Sequence, residues 1–181
     1  MFPMRLKKGI LVSSAWLAIV RASSVGLGQE SAPAPSHRCD QLAANPLDPQ
    51  RVGPGVQTSD IQPRQAIPAC EAAVELFPNE LRFQFQLGRA YRQAGRFSDA
   101  LIWYGASANS GYPGAQNSLG VMYSRGEGVK QDCDLAAYWI GLAAEQGYPA
   151  AIRNLRILRC VQVVNNTIFW PIIPLKRIVR V

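Results

Sequence analysis

An all-α solenoid of about three antiparallel helix pairs is the expected fold, and three observations carry that expectation. Gly111-Tyr112-Pro113 returns as Gly147-Tyr148-Pro149, Ala115 as Ala151 and Leu119 as Leu155, each displaced by 36 residues. Ala100, Trp103 and Tyr104 stand 36 before Ala136, Trp139 and Ile140, while Ala66, Cys70 and Ala73 stand 34 before Ala100, Tyr104 and Ser107. Within a unit the apolar residues recur at helical spacing, as Phe83, Leu87, Ala90, Tyr91 and Ala94 do. Self-matches at such offsets mark stacked repeats, in which each unit buries its apolar face against the next.

Taken in order, Met1 to about Gly28 has the layout of a secretory signal peptide: Arg5, Lys7 and Lys8, then the apolar run Ile10 to Val20, then small residues. That run is well short of the roughly 20 residues needed to cross a bilayer. A membrane anchor is implied only if the segment is retained. Residues 29–62 are rich in Ala, Pro, Ser and Gly, a composition poor in the apolar area that would stabilise an ordered chain, so they are expected to form a leader, flexible to Arg38, with one turn of helix around Cys39 to Ala44.

The repeat domain is placed at 63–160. Its first helix is expected after Asp60 and ends at about Phe77, stopped by Pro78; Pro63 suits the first turn. The second runs from about Leu81 to Ala94 and the third from Ser98 to Ala108, with Gly95 and Gly111 ending them in left-handed backbone. A fourth spans Pro113 to Ser124, a fifth Cys133 to Gln146 with Asp132 as its N-cap, and a sixth Ala150 to Cys160. Leu87-Gly88 and Tyr91 precede Leu119-Gly120 and Tyr123 by 32 rather than 36, so the later unit carries four extra residues, the turn from Arg125 to Lys130. Gly88 opposite Ala100 and Gly120 opposite Ala136 are the expected close approaches between paired helices. Residues 161–181 form an apolar tail with a basic end, expected to cap the last helix.

Leu119-Gly120, Tyr123, Gly126-x-Gly128-Val129, Gln131-Asp132, Ala136, Trp139 and Ala143-Ala144-Glu145-Gln146-Gly147 resemble a Sel-like repeat. The set Ala66, Cys70, Ala73, Leu87-Gly88, Tyr91, Ala100 and Tyr104 is similar to its relative, the tetratricopeptide repeat. This resemblance, over roughly residues 63–160, implies a right-handed α-solenoid and adaptor or scaffold work in larger assemblies, with no cofactor. Exported, cysteine-rich proteins of the Sel-like type have also been linked to β-lactam binding and hydrolysis, but the Ser-x-x-Lys and Lys-Thr-Gly patterns of such enzymes are absent from this sequence.

Charge and chemistry narrow the function further. The net charge of +7 falls to +3 once Arg5, Lys7, Lys8 and Arg21 are removed, leaving 15 basic against 12 acidic residues, and no large basic face argues for nucleic acid. The sole histidine, His37, has no nucleophile or carboxylate at a catalytic spacing and reads as a solvated leader residue. With no Cys-x-x-Cys, zinc is disfavoured, and no catalytic residue is expected.

Four cysteines behind an export signal allow three connectivities. Cys133 begins and Cys160 ends two antiparallel neighbours, so those two lie at one end of the pair, which leaves Cys39 with Cys70 to clip the leader onto the first helix. The first helix of each pair lines the inner surface of a solenoid. Arg82, Phe85, Arg89 and Arg92, with Asn117 and Arg153 from later units, are therefore the candidate partner-binding residues, suited to a peptide with acidic groups or a free carboxylate. A protein partner in the periplasm or outside the cell is the expectation these features share.

Overall fold

The computed structural model describes residues 34–158 and the backbone of 162–164 and 167–169. The N-terminal signal-like segment, the tail beyond Phe169 and Cys160 lie outside the described residues. From Ala34 onward the chain forms one unit. Its helices are α1 (Arg38–Ala43), α2 (Pro63–Leu76), α3 (Leu81–Gln93), α4 (Phe97–Asn109), α5 (Pro113–Arg125), α6 (Cys133–Glu145) and α7 (Pro149–Ile157), with a 3-10 turn at Thr58–Asp60. Each packs against the next in the chain, and α1 packs against both α2 and α3, the place that the missing partner of α2 would take. Three pairs and one further helix make an α-solenoid.

Local chemistry explains where the helices start and stop. Pro63, Pro113 and Pro149 occupy first turns, where a missing N–H costs nothing. Asp132 accepts the Leu135 N–H at 2.8 Å, capping α6 as expected. Gly95 and Gly126 follow α3 and α5 with φ of 74° and 68°, the left-handed backbone that lets the chain reverse between helices.

Close approach between paired helices is visible at two glycines. A Cβ on Gly120 would lie 2.9 Å from the Ala136 carbonyl oxygen and 2.6 Å from Ile140, so α5 and α6 meet almost backbone to backbone. At Gly88 the nearest atoms belong to Tyr104, one turn beyond Ala100, and a Cβ would lie 2.5 Å from its ring. At this joint the glycine lies against an aromatic ring of α4. Tyr104 holds the place in its unit that Ile140 holds in the next, so both glycines serve the same joint with different partners.

The core divides along the array. Phe83, Phe85, Leu87, Tyr91, Tyr104, Tyr112, Leu119 and Met122 build the larger cluster across α3, α4 and α5, joined by Cys39 and Ala43 from α1 and by Cys70 from α2. A smaller one of Ile140, Ala143, Ala144, Tyr148 and Ala151 joins α6 to α7. Cys39 and Cys70 are disulfide-bonded with Cα atoms 4.7 Å apart, which ties α1 to α2. Cys133 is not free, and its expected partner Cys160 is among the residues not described. Beyond α7 the backbone forms a short antiparallel hairpin, β1 (Gln162–Val164) with β2 (Thr167–Phe169), pairing Gln162 with Phe169 and Val164 with Thr167. Alternating β-branched residues in VQVV and TIF suit strands.

Candidate protein-interaction face

Helix α3 turns one face toward α4 and the other toward residues 34–58 of its own chain. Arg82, on that second face, is 5% exposed; its Nε donates to Asp40 at 3.2 Å, and its Nη2 donates to the Ala34 and Pro35 carbonyls at 2.9 and 3.0 Å. One turn on, Gln86 donates to the same Asp40 oxygen at 2.8 Å. A further turn brings Arg89, which donates to the Ala43 and Val56 carbonyls at 2.6 and 2.8 Å and to the Thr58 hydroxyl at 3.1 Å. Positions 82, 86 and 89 form one helical stripe that grips the leader, the arginines partly through main-chain carbonyls and Gln86 through the Asp40 carboxylate.

The later inner helices continue the grip from their first residues. Tyr112, at the N-cap of α5, donates its hydroxyl to Asp48 at 2.5 Å, and Tyr148, at the N-cap of α7, accepts from Asn45 at 3.2 Å. Asp40 and Asp48 are each 2% exposed, so the two carboxylates are buried with these donors as compensation. Burial lowers the Arg89 pKa against the opposing pull of Tyr104, Tyr148 and Asp48. Burial also raises the Tyr112 and Tyr148 hydroxyls, helped in both by the Asp48 charge, so both phenols stay protonated.

These contacts correct the expectation for the inner face. Arg82, Phe85 and Arg89 do not look into an open groove; Phe85, 1% exposed, packs with Tyr104 and Tyr112, and the two arginines lie beneath the leader. Arg92 is half-buried and makes a two-bond pair with Glu127 at 2.6 and 3.0 Å. Burial works to raise the Glu127 pKa, yet Arg92 and Arg125 outweigh it and hold the carboxylate low. His37 is also no loose residue: its Nδ1 accepts the Cys39 N–H at 3.2 Å, capping α1, and its ring meets Phe83 edge-on. Only Asn117 and Arg153 of the six lie toward the rear of the array, where Asn154 donates to Asn117 at 2.8 Å and Arg153 is exposed.

Toward the rear lies a cleft of about 200 Å³ between α5, α6 and α7, lined by Val121, Ser124, Arg125, Ile140, Asn154, Ile157 and Leu158. The residues that fill the front, Asp40, Asp48, Gln86, Tyr112 and Tyr148, were not singled out as functional by sequence reasoning. The tyrosines of the two Gly-Tyr-Pro words served as register marks, and their hydrogen bonds, Tyr112 as donor and Tyr148 as acceptor, depend on a leader far away in sequence. Among the described residues no group of three or more His, Cys, Asp or Glu could hold a metal ion, and no helix is long and apolar enough to cross a membrane.

Stacked helix pairs with a polar inner surface define a helical-repeat interaction module. Residues 113–148, which comprise α5, its following turn and α6, match the family model of the Sel1 repeat, so this part of the chain is a Sel-like repeat. The comparison with curated proteins and that with solved structures return no match. Sel1 repeats are in general non-catalytic and mediate contacts between proteins.

Proposed function

We propose that the protein is a non-enzymatic adaptor that holds a polypeptide partner on the rear half of its inner face, and that it works after export to the periplasm or outside the cell. The observation that carries the first part is the leader itself: the inner face holds a separate stretch of polypeptide by its main chain, because Arg82 and Arg89 spend donors on main-chain carbonyls. Export is supported by the buried Cys39–Cys70 bond, which suits an oxidising compartment, together with the signal-like layout of residues 1–28. Crosslinking in cells followed by identification of the attached chain tests the adaptor reading, and N-terminal sequencing of the mature protein tests export. A discrete crosslinked partner and a start near residue 29 are expected. Turnover of nitrocefin by the oxidised protein, with no crosslinked partner, would overturn the reading in favour of an enzyme.

A further inference from the structure

We infer that the cleft between α5, α6 and α7 is a docking subsite for one aliphatic side chain of an acidic, extended peptide supplied by another protein. This rests on the adaptor reading and adds a place and a chemistry to it.

Repeat register explains why the cleft exists. Its lining residues Val121, Ser124, Ile140 and Asn154 stand where Arg89, Arg92, Tyr104 and Ser118 stand one unit earlier. In that earlier unit the positions are taken up internally: Arg92 pairs with Glu127, Arg89 holds the leader, and the Tyr104 hydroxyl is hydrogen-bonded to Ser118. Replacing two guanidinium groups and a phenol by valine, serine and isoleucine leaves empty volume at the same joint. At about 200 Å³ the space is below the roughly 300–1,000 Å³ of a small-molecule pocket, and its Val121, Ile140, Ile157 and Leu158 walls suit a single branched side chain.

Charge selects the remainder of the ligand. The lining carries one guanidinium, Arg125, and no carboxylate. The inner helices α5 and α7 add Arg153 and Arg156, both exposed, and contain no Asp or Glu. Arg125 approaches Glu127 only at 3.5 Å, and that carboxylate is already engaged in two bonds by Arg92. The front of the same face shows what charge such a surface takes: a leader, helical at Asp40 and turning at Asp48, whose two carboxylates are buried against arginine, glutamine and tyrosine donors. A segment of that kind, with carboxylates flanking a leucine, would meet Arg125 and Arg153 at the rim while the leucine enters the cleft.

The test uses the full oxidised chain and a fluorescein-labelled peptide, acetyl-Gly-Glu-Leu-Asp-Gly amide, read by anisotropy. Saturable binding is expected, weakened about tenfold or more when Glu and Asp become Gln and Asn, or when Leu becomes Gly. On the protein side, Ile140→Tyr with Ser124→Arg copies the filled joint of the preceding unit, and Arg125→Glu and Ile157→Asp alter exposed positions that the fold does not need. Each is expected to cut binding by a similar factor with an unchanged helical spectrum. No saturable binding to the full chain, as would follow if its own C-terminal segment occupied the cleft, overturns the proposal; so does binding indifferent to these variants. A crosslinked partner retained by the Ile140→Tyr, Ser124→Arg variant would leave the adaptor reading standing and remove the cleft from it.

Discussion

The α3–α4 unit and the α5–α6 unit share a backbone plan and differ in what their inner surfaces contain. In the first, Arg82, Gln86 and Arg89 donate to residues 34–58, Arg82 also pairs with Glu80, and Arg92 pairs with Glu127. In the second, the equivalents of these four are Gly114, Ser118, Val121 and Ser124. One repeat has become a holder for its own leader and its neighbour has been left with room. Divergence of function between units can therefore be read from side-chain size at matched positions, because the glycine joints that set helix spacing, Gly88 and Gly120, are kept in both.

The largest expected effect separates the two units by stability. Asp40→Ala should cost about 3–5 kcal/mol in urea unfolding, since it removes the acceptor shared by the buried Arg82 and Gln86 and leaves Glu80 as the remaining carboxylate beside Arg82. Ser124→Ala, in the rear unit, should stay within about 0.5 kcal/mol, the range of substitutions that disturb no buried feature. Next in size, replacing both Cys39 and Cys70 by Ser should cost about 2–4 kcal/mol by the same measurement, with the leader cut sooner by trypsin after Arg51. A comparable stability for the two forms would mean that the leader is held by its hydrogen bonds alone.

Gly120→Ala is expected to cost about 1–3 kcal/mol, because its Cβ would press on the Ala136 carbonyl, which cannot yield without moving α6. Gly88→Ala, which meets the Tyr104 ring, should fall in the same range and also shift the near-ultraviolet tyrosine signal. The smallest effect is electrostatic and belongs to the turn that only the rear unit possesses. A carboxylate held below its ordinary value near 4.5 contributes stability above that pH and loses it as pH falls through the lowered value. The thermal midpoint should therefore drop in mild acid, and Glu127→Gln should flatten that part of the curve. An unchanged curve would show that the Arg92 pair contributes nothing measurable.

Helix placement was legible because punctuation is local. Pro113 and Pro149 open helices, Gly95 and Gly126 close them, and the structure places α2 to α6 close to the expected ends. The leader was legible in its helix around Cys39 to Ala44 and its Cys39–Cys70 clip, but not in its buried hydrogen bonds, because those depend on distant partners. Its composition is poor in apolar residues, and what compensates its ordering is the set of guanidinium and tyrosine hydrogen bonds to Asp40, Asp48 and main-chain carbonyls, with one disulfide. For the same reason the face of α3 carrying Arg82 and Arg89 could be recognised as special while its occupant could not. The rear cleft had a faint signal: the drop in size from Arg89, Arg92 and Tyr104 to Val121, Ser124 and Ile140 is written in the repeat register, but only a structure shows that no other described residue takes up the space.

An NMR titration of the 15N-labelled chain with the Glu-Leu-Asp peptide examines both halves at once. Shifts confined to the ends of α5 and α7, at Val121, Arg125, Asn154 and Ile157, with the Arg82 and Arg89 Nε resonances unmoved, are what a filled front and an open rear predict. Movement of those two arginine resonances together with loss of the leader's amide protection would contradict it, since the peptide would then be displacing the segment that the front unit is built to keep.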